Sequence, residues 1–291
     1  MKVEKANYHM ITYDFGTSSV KAVLMDDRFQ LLDVCYVYYP TVAEHPGWAT
    51  QKVEDYWASF KEATRTLLDR AKIDAKSVRG IAMSQTTADV IFVDENGNPL
   101  DDCIIWIDGR AEKQAEEINQ RLGENIYQGK NVPPKVLWYQ QNRPEIFKKA
   151  KYLLDVSAYL YWKLTGVYAY DLSGAFGSQM LDDETLDWSD KKLEASHIAR
   201  DLLPQRIVDS IEAVGDIHAE AAKETGLCEG TKVFGGCSDN ANGQIGTGCI
   251  RSDRCPSKGC HPPGRTSACL RPSSARFPRH PCPSDRRRQN R

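Results

Sequence analysis

Apolar and polar residues alternate with a period of two at the start of the chain. Residues 10–14 and 20–25 read as strands, and Asp26-Asp27 turns the second into a third over 31–39. The period then changes. Between Glu54 and Lys72, the residues Trp57, Phe60, Ala63, Leu67, Leu68 and Ala71 fall on one helical stripe. Strands are expected at 78–84 and 90–94, the latter closed by a hairpin turn of Glu95-Asn96-Gly97-Asn98. A short buried strand over 104–107 ends on Asp108-Gly109-Arg110. Helices are expected over 111–122, over 135–142 behind Pro133-Pro134, briefly from Pro144, and over 157–164, where Gly166 stops the helix. Residues 171–188 read as polar turns, and 190–198 and 219–225 as helices. The last strand, Lys232-Val233-Phe234, runs through Gly235-Gly236 into a helix from Ala241 to Ile245, closed by Gly246-Thr247-Gly248. Strands interleaved with helices predict an α/β protein.

The final strand, turn and helix carry the first candidate chemistry. They leave Asp239 at the carboxyl end of a strand, where open α/β sheets bind their ligands. The two glycines let the backbone approach a ligand closely. Asp239 therefore reads as a general base, against the plainer alternative of an Asx-turn or helix cap before Ala241. The first turn, Phe15-Gly16-Thr17-Ser18-Ser19, offers amides and hydroxyls suited to phosphate oxygens, although an ordinary hairpin has the same composition. Asp14-Phe15-Gly16 is not the magnesium motif of protein kinases. No glycine-rich loop precedes it and no His-Arg-Asp loop is present.

Composition adds two things. With 41% hydrophobic and 27% charged residues over 291, the chain can bury a sizeable core, and no apolar run is long enough to span a bilayer. The N-terminus has no signal-peptide pattern, so the expected compartment is the cytoplasm and no membrane partner is expected. The net charge of −2 conceals an asymmetry. From Arg251 onward ten arginines and one lysine face two aspartates, which leaves the first 250 residues at −11. An acidic body argues against nucleic-acid binding. Residues 251–291 also lose all hydrophobic periodicity and are expected to be disordered. Cys255, Cys260, His261 and Cys269 fit no common zinc spacing, and Cys35, Cys103, Cys228, Cys237 and Cys249 read as reduced thiols. A basic tail for nucleic acid would reside there too, if anywhere.

Several segments stand in a recognisable order. They are Asp14-Phe15-Gly16-Thr17-Ser18-Ser19, Pro46-Gly47-Trp48, Gln85, Trp106-Ile107-Asp108-Gly109-Arg110, Lys135-Val136-Leu137-Trp138, Leu164-Thr165-Gly166 and Gly235-Gly236-Cys237-Ser238-Asp239-Asn240. Together they resemble the N-terminal domain of the FGGY carbohydrate kinases, which include xylulokinases and glycerol kinases. The resemblance implies an actin-like ATPase (ribonuclease H-like) fold and ATP-dependent phosphorylation of a sugar hydroxyl, with Mg²⁺. It implies that Asp239 is the catalytic base. Asp14 would help hold Mg²⁺ through water, with Gly16, Thr17 and Ser18 on phosphate. Gln85, Thr86, Thr87, Trp106, Asp108, Arg110 and Asn240 would line the sugar site. The partner implied is a small-molecule sugar, and a homo-oligomer stays open.

Two departures qualify this. Gln85-Thr86-Thr87-Ala88-Asp89 stands where many xylulokinases have Gln-Met-His-Gly and glycerol kinases Gln-Arg-Glu-Thr, so the sugar, a xylulose-like ketose or another polyol, is not assigned. After Ile250 the family would continue into a second domain, whereas here the Arg/Pro/Cys-rich stretch begins. The expectation is an N-terminal kinase domain over 1–250 and an out-of-frame tail over 251–291. A single lobe would have low activity, or act as a non-catalytic sugar- or partner-binding lobe.

Overall fold

The computed structural model describes residues 8–247, so the expectations for 251–291 lie outside the described residues. Strands β1 (His9–Phe15), β2 (Ser19–Asp26) and β3 (Leu31–Tyr38) form the meander. Helix α1 (Val53–Ala71) leads to β4 (Val78–Gln85). Next in the chain are helices α2 (Glu112–Leu122), α3 (Val132–Asn142), α4 (Val156–Thr165) and α5 (Leu172–Gly177). The chain returns to the sheet as β5 (Ala213–Asp216), then α6 (Ala219–Thr225), β6 (Lys232–Phe234), β7 (Cys237–Ser238) and α7 (Asp239–Gly246). The order across the sheet is β5-β6-β4-β1-β2-β3, and β7 continues beside β4. Strands β1, β6 and β7 run parallel to β4, and the meander pairs are antiparallel.

Alternation along β1 decides which side of the sheet is packed. Ile11, Tyr13 and Phe15 are buried beneath α1, where the helical stripe delivers Trp57, Phe60, Ala63 and Leu67. Tyr13 stacks on Phe60 with centroids 4.3 Å apart, and its hydroxyl shares a 2.7 Å hydrogen bond with Thr64. Burying each such ring contributes roughly 1.5–3 kcal/mol. Thr12 and Asp14 point to the opposite face, which stays partly open.

Three expectations needed correction. Residues 104–107 are not one strand. Pairing stops at Ile104, because the next residues turn outward and leave Trp106 and Ile107 exposed. Residues 171–188 are not only polar turns, since they contain α5, started by Asp171, whose carboxylate caps the Gly174 amide at 2.8 Å. Helix α7 runs through Gly246 rather than stopping before it, and Gly248 lies outside the described residues. Among the described residues no helix is long and apolar enough to cross a membrane.

Candidate active site

Strand register brings three loops together. Phe15 pairs with Gln85, and Gln85 pairs with Ser238, so the chain leaves β1, β4 and β7 at one level and in one direction. Gly16-Thr17-Ser18 succeed β1, Thr86-Thr87 succeed β4, and Asp239-Asn240 succeed β7. The close fit of β7 against β4 needs glycine. A Cβ on Gly236 would overlap the Met83 carbonyl oxygen, and one on Gly235 would lie 2.5 Å from the Asp209 carbonyl oxygen.

Asp14 and Asp239 line the same open cavity of about 520 Å³, with Lys21, Ser84, Gly236 and Asn242 on its walls. Lys21 Nζ sits 3.1 Å from the Asp14 carboxylate. Helix α7 is capped by position 238, so Asp239 is its first helical residue rather than its cap. One Asp239 oxygen accepts the Asn240 amide at 2.6 Å, and among the described residues the other has no hydrogen-bond partner. Partial burial, and then the negative charge of Asp14, hold the Asp239 carboxyl above its ordinary range, partly offset by the Asn240 amide. A base raised in this way keeps its proton to higher pH. The acid limb of any Asp239-dependent rate is therefore expected above the unperturbed carboxylate value of about 3.9, with the rate rising as pH climbs through it. Asp14→Asn should move that limb down in a pH–rate profile, and an unmoved limb would remove Asp14 as a cause.

The first loop is held from behind. The Gly16 amide donates to the Ser19 carbonyl at 3.0 Å, and the Gly16 carbonyl accepts from the Tyr39 hydroxyl at 2.6 Å. The Thr17 carbonyl accepts from Gln51 at 2.7 Å, and the Thr17 hydroxyl accepts from the Trp106 indole at 3.0 Å. Ser18 is exposed at the tip. Trp106 thereby joins its own segment to the first loop. Its backbone amide donates to Asp89, whose other oxygen accepts from the Thr86 hydroxyl at 2.7 Å. Asp89 is buried and pushed up to about 6 by that burial. Beneath it the buried Lys135 ammonium donates to the carbonyls of Ala88 at 2.8 Å and Ile105 at 2.9 Å, and burial lowers it to about 8. One lysine thus ties the 86–89 loop to the turn bearing Trp106.

None of the seven residues expected at the sugar lines this cavity, and three of them are turned into the scaffold. The Gln85 side chain is buried, donating to Asp155 at 2.7 Å and accepting from the Ser157 amide at 2.5 Å. Asp108 is fully buried and takes the Arg110 guanidinium at 2.7 Å and the Ala49 amide at 2.5 Å. Arg110 lies 3.9 Å from the Trp48 ring centroid, with Trp138 on its other flank at 5.0 Å. The physical reason is shared: a buried ionic or amide group needs its partners, and all three have spent theirs on the scaffold. Thr86, Thr87, Trp106 and Asn240 remain at the loop ends. Sequence reasoning missed Lys21, Asp89 and Lys135. The one signal for Lys135 was a lone charge leading the apolar stretch Val136-Leu137-Trp138.

Residues 9–246 match the FGGY family of carbohydrate kinases, N-terminal domain. The chain belongs to that family. It is 32% identical over 253 residues to the xylulose kinase of Lactococcus lactis subsp. lactis (strain IL1403), covering 84% of this chain and 50% of that protein. It is 28% identical over 251 residues to the gluconokinase of Bacillus subtilis (strain 168), covering 84% of this chain and 48% of the relative. Among solved structures, the gluconate kinase from Lactobacillus acidophilus superposes with a TM-score of 0.77 at 25% identity, over 84% of this chain and 51% of that one. The Plasmodium falciparum glycerol kinase with ADP superposes at 0.75 and 20% identity, covering 84% and 51%, which shows the shared actin-like fold. The chain spans about half the length of the curated relatives it matches.

One residue of the loop after β4 is strained: Ala88 has φ +68°. A left-handed backbone costs an L-residue roughly 1–2 kcal/mol. Ala88→Gly relieves this but enlarges the freedom of the unfolded chain, an opposing effect of roughly 0.4–1 kcal/mol. The expected net gain is up to about 1 kcal/mol in urea denaturation, and a loss would show that the loop is not strained as described.

Proposed function

We propose that this chain forms the sugar-binding, base-bearing half of an ATP-dependent carbohydrate kinase acting on a hydroxyl of a xylulose-like ketose or related polyol. The observation that carries this is the pair Asp14 and Asp239, far apart in sequence, facing one cavity at the ends of two parallel strands that flank β4. Phosphoryl transfer asks a protein mainly for positioning and charge neutralisation. Asp239, which lines the cavity and has one oxygen without a hydrogen-bond partner among the described residues, accepts the proton of the attacking hydroxyl. Lys21 offers a positive charge to phosphate oxygens beside the Gly16-Thr17-Ser18 turn. Thr86, Thr87, Trp106 and Asn240 supply the hydroxyl, aromatic and amide groups that a sugar needs.

Mg²⁺ fits Asp14. Among the described residues no three His, Cys, Asp or Glu side chains converge on a metal position. Mg²⁺ ordinarily takes only one or two carboxylates, completing its shell with phosphate oxygens and waters. Asp14 would hold it directly or through water, and the ion would neutralise charge on the transferring phosphate.

A neutral acceptor is favoured by Asp89. This buried carboxylate behind Thr86 and Trp106 opposes an anionic sugar acid, while Lys135 and Arg110 are already committed. The test is a phosphorylation assay on the full chain with radiolabelled ATP, offering D-xylulose, glycerol and D-gluconate. Trp106 fluorescence would report binding in parallel. Labelled xylulose phosphate, formed at a low rate, is the expected product. Sugar binding without any labelled product would select the non-catalytic lobe. Neither binding nor product would overturn both.

A further inference from the structure

Helix α5 touches both the sugar-side loop and the turn that carries Asp239, although neither its sequence nor the proposed chemistry assigns it a role. The Ser173 hydroxyl accepts the Ser238 amide at 2.9 Å and donates to the Ser238 hydroxyl at 2.8 Å. Ser173 and Ser238 are both buried, so water cannot replace these bonds cheaply. Two residues upstream, the Gly236 amide donates to the Tyr161 hydroxyl at 2.9 Å, and that hydroxyl reaches Asp171 at 3.4 Å. Asp171 also caps α5 through the Gly174 amide. Asp155 caps α4 through the Ala158 amide at 2.8 Å and holds Gln85. A Cβ on Gly174 would lie 2.5 Å from the Asp155 carboxylate, 3.2 Å from the Gln85 amide and 3.4 Å from the Asp171 carboxylate, so these groups meet at one point. At the other end, a Cβ on Gly177 would come 2.6 Å from the Thr87 methyl. The short helix is thus wedged between the acceptor loop and the base turn.

We infer that α5 is a positioning bracket: Ser173 fixes the Asp239-bearing turn through Ser238, and Gly174, capped by Asp171, packs α5 against Asp155 and Gln85 at the end of β4. The reading of Asp239 as a base underlies the role, and the bracket is what sets that base relative to Thr86 and Thr87. Two fully buried carboxylates this close cannot both ionise comfortably, and burial followed by mutual repulsion holds Asp155 above its ordinary range. The pair therefore holds a proton more readily than two exposed carboxylates would. Ser173, Asp155 and Asp171 are positioning residues. None lines the cavity that holds Asp14 and Asp239.

Amide hydrogen exchange on the full chain, with and without Ser173→Ala and Asp171→Ala, tests the bracket without sugar or nucleotide. It therefore stands or falls separately from the phosphorylation assay. Ser173→Ala is expected to speed exchange at the Ser238 amide on the order of tenfold, and to move the Asp239 carboxyl titration followed by ¹³C NMR. The amides of Ile11 and Tyr13 in β1 should keep their protection. Asp171→Ala is expected to release the Gly236 amide as well. Unchanged exchange at Ser238, or equal loosening of β1 and the turn, would overturn the inference. Ser173→Ala removes a single oxygen and decides the question alone should Asp171→Ala fail to fold.

Discussion

Replacing Gly236 with alanine is expected to lower stability by about 3 kcal/mol or more, a severe effect for one methyl group. The added carbon would overlap the Met83 carbonyl oxygen. That oxygen belongs to the backbone of β4, which is paired with β1 on one side and with β6 and β7 on the other. A flexible side chain could swing away, but a central strand cannot move without loosening ladders on both sides. The loss compares with a total folding stability of roughly 5–15 kcal/mol. Gly243→Ala is the matched control. It lies within α7, a Cβ there meets nothing within 4 Å, and the better helix former is expected to add up to about 1 kcal/mol. Urea midpoints, with the slope checked for constancy, read both variants. A Gly236→Ala protein as stable as the parent would mean that β7 does not lie against β4 as described, and the site geometry would go with it.

Asp239→Asn carries the largest expected effect on function. Asparagine keeps the size and one acceptor oxygen, so the turn and sugar affinity should survive. It cannot take a proton from the attacking hydroxyl, and general-base catalysis typically contributes about 10²–10⁴-fold. Labelled sugar phosphate is expected to fall by that factor, with the sugar-induced change in Trp106 fluorescence retained. The loss should appear in turnover rather than in binding, because the proton moves only as the new bond forms. Undiminished turnover in Asp239→Asn would sink the assignment of the base. Loss of sugar binding as well would show Asp239 to be a ligand for the ground state.

Much of this site is legible in the amino-acid sequence. Asp14 stands out because it ends an apolar run before turn-favouring residues, and Asp239 because it follows a strand and a glycine pair and leads into a helical stretch. The α1 stripe is equally clear, since a period near 3.6 over nineteen residues leaves little ambiguity. Helix α5 is hidden because Leu172–Gly177 contains two glycines and only one turn and a half of helix, and its stability comes from the Asp171 cap and packing. Strand β5 is hidden for a similar reason: four residues with a glycine have no alternation to read.

Local pattern therefore settled where β1 and β4 end to within a residue, which acids stand near the sheet's end, and that the chain is an α/β protein with the loop order of an FGGY kinase. Which side chains look into the cavity was a matter of three-dimensional partnership. Gln85, Asp108 and Arg110 have the chemistry of ligand-binding residues and sit beside the right loops. Each is nevertheless turned inward, because a partner was waiting in Asp155 and Ser157, in Ala49, or between Trp48 and Trp138. Lys21 and Asp89 gained their places in the same way, one beside Asp14 and the other beneath Thr86 and Trp106. A polar group leaving water goes wherever its hydrogen bonds can be completed, and those partners lie tens of residues away in a string that records only neighbours.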